Sequence, residues 1–248
     1  LHPLLARVLS PFPFSTGYVA FDTETTGVQE KEDRIISASL LYYSPSHALV
    51  KRRTWLINPG IEVPAAATAV NGLSTEYVQS MGMPATEGIA EILAALAQCA
   101  RYRMPVVAFN GSFDMTVLLH ESRRNGMALS TDFADIYSGG LRLIDGLTMH
   151  RKAHLKWKGR RNLGALCEAY GVELGEAAHN ATADARAAAE LSVKLTAETP
   201  ELFEVDASSL HMAQRQWYAV QMEDLQAYLR ASRGDETITC HPAWPVRR

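Results

Sequence analysis

The sequence predicts an α/β fold in which a mixed sheet is flanked by helices. In the first part of the chain, three apolar segments at residues 18–22, 34–43 and 50–57 are joined by short connections, which indicates an antiparallel meander. After residue 58, short apolar segments alternate with helical patterns, as in strands that pair through helical crossovers. The two parts together predict one sheet of five strands covered by helices.

Helical periodicity and capping residues place the later elements. Pro64 and Ser74 can each begin a short helix, and apolar residues from Ile89 to Leu96 follow the i, i+3, i+4, i+7 spacing of an amphipathic helix. The remaining predicted elements are a strand at residues 106–109, a helix at 111–125, a strand near 133–137, and helices near 162–170 and 182–197.

Three regions follow from these patterns. Residues 1–16 carry three prolines and are predicted to be a leader on the surface, 17–200 form the main domain, and 201–248 form a C-terminal helix and tail. Ser208 or Ser209 can cap this helix, which is expected to pack on the main domain; docking of a partner is the alternative. Its predicted apolar stripe consists of Leu210, Ala213, Trp217 and Val220.

Composition narrows the classes of protein. Of the 248 residues, 47% are hydrophobic and 21% charged, which is typical of a globular protein. No run is long enough for a membrane span, and no signal peptide is recognisable, so no membrane partner is expected. Three widely spaced cysteines predict free thiols in a reducing, cytoplasmic setting. The net charge of −3 argues against a general nucleic-acid coat but not against an enzyme acting on nucleic acid.

Two acids end the first strand. Asp22 and Glu24 are two residues apart, so they point to the same side of a strand, after the buried segment 19–21. The two carboxylates repel each other unless a hard cation such as Mg²⁺ or Mn²⁺ binds between them. Taken alone, however, the pair has an ordinary alternative as a surface pair.

Two further acids and a histidine strengthen the metal hypothesis. Asp114 follows a strand and lies in the first turn of the next helix. Its alternative role there is that of a helix cap without any function in metal binding. His179 precedes Asp184 by five residues, about 140° around a helix, so His179 is expected in the loop before the helix that carries Asp184. A solvated loop histidine suits a general base with a pKa near neutrality.

The three segments resemble the motifs of the DEDD exonucleases, the proofreading family typified by the epsilon subunit of bacterial DNA polymerase III. The motifs are the run Phe-Asp-Thr-Glu-Thr-Thr-Gly at 21–27, Asn-x-x-Phe-Asp at 110–114, and His-x-x-x-x-Asp at 179–184. A histidine five residues before the last acid is the pattern of the histidine subclass, DEDDh. The match spans about residues 17–197.

The resemblance implies a ribonuclease H-like fold and a 3′→5′ exonuclease with a two-metal mechanism. Asp22, Glu24, Asp114 and Asp184 would hold two Mg²⁺ or Mn²⁺ ions. His179 would accept the proton of the attacking water, and a nucleoside 5′-monophosphate would leave from the 3′ end of DNA, single-stranded or frayed. A polymerase or repair protein is the expected partner.

Other residues are candidates for substrate contact. Thr25, Gly27, Asn110 and Phe113 flank the acids, although Phe113 can equally be a core residue. Residues 150–161 contain six Lys or Arg, no acid and one tryptophan, so Lys156, Lys158 and Arg160 could follow a phosphate backbone. The alternative for this segment is a solvated connection or a docking surface. Asp145 is predicted to be a structural acid satisfied by backbone donors.

Two other functions remain open at this point. An exoribonuclease of the same family would use the same metal chemistry, because sugar discrimination rests on contacts to the 2′-OH that the sequence does not display. A polymerase-associated subunit that only binds partners is the second alternative. The intact set of acids and His179 argues against it, since a binding module has no need of them.

Overall fold

The computed structural model describes residues 13–174 and 180–247. Its strands are β1 (Tyr18–Thr25), β2 (Ile35–Tyr43), β3 (Leu49–Asn58), β4 (Met83–Pro84), β5 (Pro105–Ala108) and β6 (Arg142–Asp145). They form one sheet in the order β4-β3-β2-β1-β5-β6. The first three strands are an antiparallel meander, while β5 is parallel to both β1 and β6. The mixed sheet is confirmed, but it has six strands instead of five, because the two-residue β4 pairs with the end of β3.

Helices cover both faces of this sheet. They are α1 (Ala65–Asn71), α2 (Thr75–Met81), α3 (Ala85–Arg101), α4 (Gly111–Arg124), α5 (Thr131–Asp135), α6 (Gly146–Ala153), α7 (Leu163–Tyr170), α8 (Ala181–Glu198), α9 (Pro200–Phe203) and α10 (Ala207–Arg233). Pro64 and Ser74 precede α1 and α2 as predicted, and the Ser74 hydroxyl accepts a hydrogen bond from the backbone of Tyr77 at 3.2 Å.

The sheet separates two hydrophobic layers. On one face, Phe21 of β1 packs with Ile92 of α3 and with residues of α4. On the other face, Ala20 of β1 packs with Leu191 of α8. Because neighbouring residues of a strand point in opposite directions, odd-numbered residues of β1 face α3 and α4, and even-numbered residues face α8. This division decides from which side each acid reaches the site.

The predicted strand near residues 133–137 is wrong. These residues lie in α5 and in the irregular turn that follows it, Ile136–Gly140. Arg101 of α3 binds both Asp132 and Asp135, which are three residues apart and therefore share one face of a helix. The strand is β6, which begins at Arg142, five residues after the predicted strand would have ended.

The C-terminal helix α10 lies along the free edge of β6. Gln214 accepts a hydrogen bond from the backbone N–H of Asp145 at 2.7 Å and donates one to the carbonyl of Leu143 at 3.2 Å. The Nδ1 atom of His211 lies 3.1 Å from the backbone N of Leu143. These side chains satisfy edge groups that no neighbouring strand pairs.

Two details of α10 differ from the prediction. Its N-cap is Asp206, whose carboxylate accepts hydrogen bonds from the backbone N–H groups of both Ser208 and Ser209. The buried stripe is not the predicted one, since Val220 is exposed. The buried residues of the helix are Leu210, Gln214, Tyr218 and Met222, spaced four apart. The prediction was wrong because one of these four buried side chains, that of Gln214, is polar.

No helix in the two described ranges combines the length and apolar character that crossing a bilayer requires. Cys99, Cys167 and Cys240 lie in the described ranges and are free thiols, as predicted.

Candidate active site

The candidate site lies where β1 runs past the end of β5. Ala20 pairs with Val107, and β5 ends one residue later, so the remaining part of β1 has no neighbour on that side. Asp22 and Glu24 lie in this overhang and both face α8, as the strand period requires. The overhang leaves the acids at an open end of the sheet.

Helix α8 brings a third acid to the same face. Asn180 caps the helix by accepting a hydrogen bond from Thr182 N at 3.0 Å, and the Thr182 and Ser39 hydroxyls lie 2.6 Å apart. These contacts hold the first turn of α8, which carries Asp184, against β2. Oxygen atoms of three carboxylates thereby lie within 4.8 Å of one another, those of Asp22, Glu24 and Asp184.

Asp114 approaches from the opposite face. It is buried in the first turn of α4, and its Oδ1 atom accepts hydrogen bonds from the backbone N of Thr23 at 3.0 Å and from the Thr23 hydroxyl at 2.6 Å. Asp114 therefore takes the β1 backbone donor that β5 is too short to pair. Its charge contributes to the raised pKa of Asp22, so the two carboxylates are electrostatic neighbours although Asp114 is outside the group of three.

Burial and repulsion raise the pKa values of these acids. At Asp22 burial is the largest cause, the three other acids add repulsion, and the pKa lies well above its usual value. Burial, followed by repulsion from Asp184 and Asp114, raises the pKa of Glu24 to about 8. Burial raises the pKa of Asp114 to about 7, although the hydrogen bonds from Thr23 oppose the increase.

This donor set fits a divalent cation. All its donors are carboxylate oxygens, the ligands that Mg²⁺ and Mn²⁺ prefer. The raised pKa values show that the group carries an electrostatic cost which protons relieve in part, and a bound cation would relieve it while keeping every acid ionised. The predicted general base, His179, lies outside the described residues.

The predicted substrate contacts are at the site's periphery. The Thr25 hydroxyl donates to the carbonyl of Gly27 at 2.6 Å, and a Cβ atom at Gly27 would meet the carboxylate of Asp33 at 2.6 Å. Asn110 has a left-handed backbone conformation, and Phe113 is half-buried against the core. Close packing against Asp33 therefore explains why residue 27 is a glycine, independently of any contact with a substrate.

Asp145 is a structural acid, as predicted. Its carboxylate accepts hydrogen bonds from the backbone N–H groups of Asn110 at 2.9 Å and Leu147 at 3.0 Å, and from the Thr148 hydroxyl at 3.1 Å. The bond from Asn110 fixes the turn that leads from β5 into α4, and the other two cap the N-terminus of α6.

The basic segment presents its charges to solvent. Lys156, Lys158 and Arg160 are exposed. Trp157 is half-buried, with its ring edge-on to His150 at 5.0 Å between centroids, and its indole N–H donates to the Arg160 carbonyl at 3.3 Å. The tryptophan therefore belongs to an aromatic cluster that anchors the segment, while the cations remain available.

A cleft of about 820 Å³ lies on the face of β2 and β3 that α8 leaves uncovered. Ser39, which pairs with Asp22 across the strands, lines it, so the cleft adjoins the acids. Arg52 and Arg186 line it as well, are exposed, and form no ion pair with any residue of the described ranges. The cleft therefore combines hydroxyl and apolar side chains of the strands with two cations.

Sequence reasoning did not identify two residues of the site. Thr23 faces away from Asp22 and Glu24, and only the shortness of β5 explains its contact with Asp114. Arg247 contacts the segment around Asn110 from more than 100 positions away, and no local pattern signals it.

A model of the RNase T exonuclease family matches residues 19–192, which include all three motifs. The chain therefore belongs to this exonuclease family. This membership confirms the predicted resemblance to the DnaQ-like 3′→5′ exonucleases, the family typified by the epsilon subunit. It is 28% identical over 181 residues to the epsilon subunit of DNA polymerase III from Treponema pallidum, covering 73% of this chain and 76% of that protein.

Larger relatives contain this unit as a part. The chain is 29% identical over 185 residues to the PolC-type DNA polymerase III of Staphylococcus aureus, which covers 75% of this chain but only 12% of the polymerase. Exonuclease I of E. coli in complex with a dT13 oligonucleotide aligns with a TM-score of 0.64 at 19% identity, covering 76% of this chain and 43% of that one. The structural likeness confirms the ribonuclease H-like fold.

Proposed function

We propose that this chain is a metal-dependent 3′→5′ exonuclease that releases nucleoside 5′-monophosphates from the 3′ end of DNA. The observation that carries the proposal is the group of three carboxylates with oxygens within 4.8 Å of one another, beside the buried Asp114. A phosphodiester is itself negatively charged, so such a group can accept it only when cations are bound.

Asp22, Glu24, Asp114 and Asp184 are the proposed ligands of two Mg²⁺ or Mn²⁺ ions. Asp22 is adjacent both to the acids on the α8 face and to Asp114 on the α4 face, so it connects the two groups of carboxylates that would hold the ions. When bound, the ions supply Lewis-acid stabilisation of the phosphoryl oxygens and make water more acidic. Thr23 holds the Asp114 carboxylate in place for this task.

His179 is the proposed general base. It directly precedes Asn180, the residue that caps α8, and it lies five positions before Asp184. An imidazole titrates near neutral pH, so it can accept the proton of the attacking water and later release it to solvent.

The proposed substrate is a single-stranded or frayed DNA end. Asn110, Thr25, Gly27 and Phe113 are the proposed contacts of the terminal nucleotide. The cleft on β2 and β3 could accommodate the strand, with Arg52 beside its phosphates. The names of the relatives favour DNA, since they are two DNA polymerase components and an exonuclease bound to an oligothymidylate.

Digestion of end-labelled oligonucleotides tests this proposal. A 5′-labelled DNA strand should give a ladder that shortens with time, whereas the 3′-labelled strand should release labelled mononucleotide at the first turnover. Both require Mg²⁺ or Mn²⁺, and excess EDTA should stop them. A phosphorothioate at the last 3′ linkage should slow the reaction, while one at the 5′ end should not.

Three variants provide the controls. Asp22→Ala and Asp184→Ala should abolish hydrolysis while keeping the fold, and Asp224→Ala, on the exposed side of α10, should leave it unchanged. Full turnover in either active-site variant, or in excess EDTA, would refute the mechanism.

Two alternatives are decided by the same assay. Matched RNA strands that are degraded faster than DNA would identify an exoribonuclease. Binding without hydrolysis would identify a polymerase-associated subunit, and gel filtration with polymerase or repair proteins tests for that partner. The intact set of carboxylates favours catalysis over binding alone.

A further inference from the structure

The tail that follows α10 returns to the main domain and is anchored there. Arg230 of α10 donates from Nε to the Ile238 carbonyl at 2.8 Å, and the backbone N of Cys240 donates to Gln226 at 2.9 Å. Trp244 is buried beside His211, with ring centroids 4.8 Å apart. The tail is thus held in place before it reaches Arg247.

Arg247 joins three parts of the fold through one side chain. Its Nε donates to the Tyr218 hydroxyl of α10 at 2.9 Å, and its Nη2 donates to the Ser112 hydroxyl of α4 at 2.8 Å. Its Nη1 pairs with Glu30, in the segment between β1 and β2. Its backbone N donates to the Thr116 hydroxyl at 3.0 Å, which locks the tail onto α4.

The guanidinium also contacts the proposed substrate residue Asn110. Nη2 of Arg247 lies 3.3 Å from Oδ1 of Asn110. A guanidinium offers only donors, so it selects the amide orientation in which oxygen faces Arg247 and excludes the flipped one. Nδ2 is then the remaining donor of the amide, and no described residue accepts a hydrogen bond from it.

We propose that Arg247 is a positioning residue of the exonuclease, which orients the Asn110 amide so that its N–H donors are available to an oxygen of the terminal nucleotide. The inference rests on the proposed function and deepens it. The backbone of Asn110 is fixed independently by its N–H bond to Asp145 at 2.9 Å, so Arg247 controls the side chain rather than the turn.

A double-mutant cycle tests the proposal. Arg247→Ala should lower kcat/KM on a single-stranded oligonucleotide by about five- to twentyfold, the value of one hydrogen bond to substrate. In an Asn110→Ala background the same change should lower it less than about twofold, because the amide to be oriented is gone. A purely structural role would lower activity by the same factor in both backgrounds and would overturn the inference, as would an active Arg247→Ala enzyme with unchanged kcat/KM.

Two further variants separate orientation from folding. Arg230→Ala removes a tail contact that does not involve Asn110. It should lower the thermal stability about as much as Arg247→Ala does, but it should not lower kcat/KM. Arg247→Lys keeps the charge beside Glu30, but an ammonium group cannot reach all the acceptors that the guanidinium contacts. Its kcat/KM should therefore lie between those of wild type and Arg247→Ala. Wild-type activity in Arg247→Lys would overturn the inference.

A binding measurement distinguishes this inference from the proposed function. The same four combinations of Arg247→Ala and Asn110→Ala are made in an Asp184→Asn background. For each, the Kd for a fluorescent single-stranded oligonucleotide is measured in the presence of Mg²⁺. A wild-type chain that binds but does not hydrolyse would refute the proposed activity, while the cycle on Kd would still decide the role of Arg247. A chain that binds no oligonucleotide would overturn both.

Discussion

Neutralising one carboxylate of the site should stabilise the protein when no metal is bound. Asp184→Asn keeps the size of the side chain and one carbonyl oxygen, and removes one charge from the group it forms with Asp22 and Glu24. Two unit charges separated by at most 4.8 Å repel by roughly 3 kcal/mol or more at an effective dielectric constant near 20. Since all three side chains are only partly buried, and Asp22 and Glu24 are partly protonated near pH 8, we expect a smaller gain there, about 1 to 2 kcal/mol in the free energy of unfolding.

The size of this gain should depend on pH. The pKa of Glu24 is about 8 in the folded protein against its usual 4.5, so the folded state binds this proton more tightly than the unfolded state. The stability from this proton is complete below about pH 4.5 and is lost as the pH rises towards 8. Wild type in chelator should therefore lose stability over this window. The variant should lose less, because Asp184 no longer repels Glu24.

Urea denaturation in EDTA at about pH 5 and about pH 8 measures both effects. Added Mg²⁺ should stabilise wild type more than the variant, and should therefore reduce or reverse the difference between their free energies of unfolding. Asp224→Asn, an exposed acid on α10, is the matched control and should change stability by less than about 0.5 kcal/mol. A variant less stable than wild type at pH 8 in EDTA, or an equal difference at both pH values, would show that repulsion among these carboxylates is not what strains the site.

Three further changes test the surroundings of the acids. Thr23→Val removes a hydrogen bond that lowers the pKa of Asp114, so the acidic limb of the kcat/KM profile should move to higher pH, whereas Thr23→Ser should keep the wild-type profile. Asp145→Asn should cost about 1 to 3 kcal/mol of stability in thermal or urea denaturation, because an amide oxygen cannot accept all the hydrogen bonds of the buried carboxylate. Replacing the three exposed cations of the basic segment by glutamine should weaken binding of oligonucleotides in fluorescence anisotropy and reduce the slope of log K against log salt by about 2 to 3. An unchanged slope would exclude the segment from the interface. These cations are Lys156, Lys158 and Arg160.

The elements that carry the acids could be predicted because their signals are local. The alternation of β1 places Asp22 and Glu24 on one side, and the turn after β5 places Asp114 in the first turn of α4. A cap four residues before the acid, at Asn180, begins the helix that carries Asp184. Each of these features depends on neighbours within a few residues, which is the range over which a sequence pattern is informative.

The elements that could not be predicted depend on distant partners. Residues 133–137 have the aromatic and apolar composition of a strand, yet Arg101, some thirty positions earlier, binds two aspartates at helical spacing. Gln214 is a polar residue in a buried stripe because it serves the backbone groups at the edge of β6. Arg247 acts on Asn110 across 137 positions. A single sequence shows none of these pairings.

The division of the acids between two layers follows from one property of the sheet, the difference in length between β1 and β5. If β5 continued beside β1, its backbone would pair the N–H of Thr23, and Asp114 would lose the donor that holds it. Because β5 stops at Ala108, a carboxylate of α4 can reach the strand from one face while the first turn of α8 delivers another from the opposite face. Asp22 at the overhang is then the acid adjacent to both. A short strand beside a long one is therefore what allows a single sheet edge to collect acids from both helical layers, and to support the two ion positions that the proposed mechanism requires.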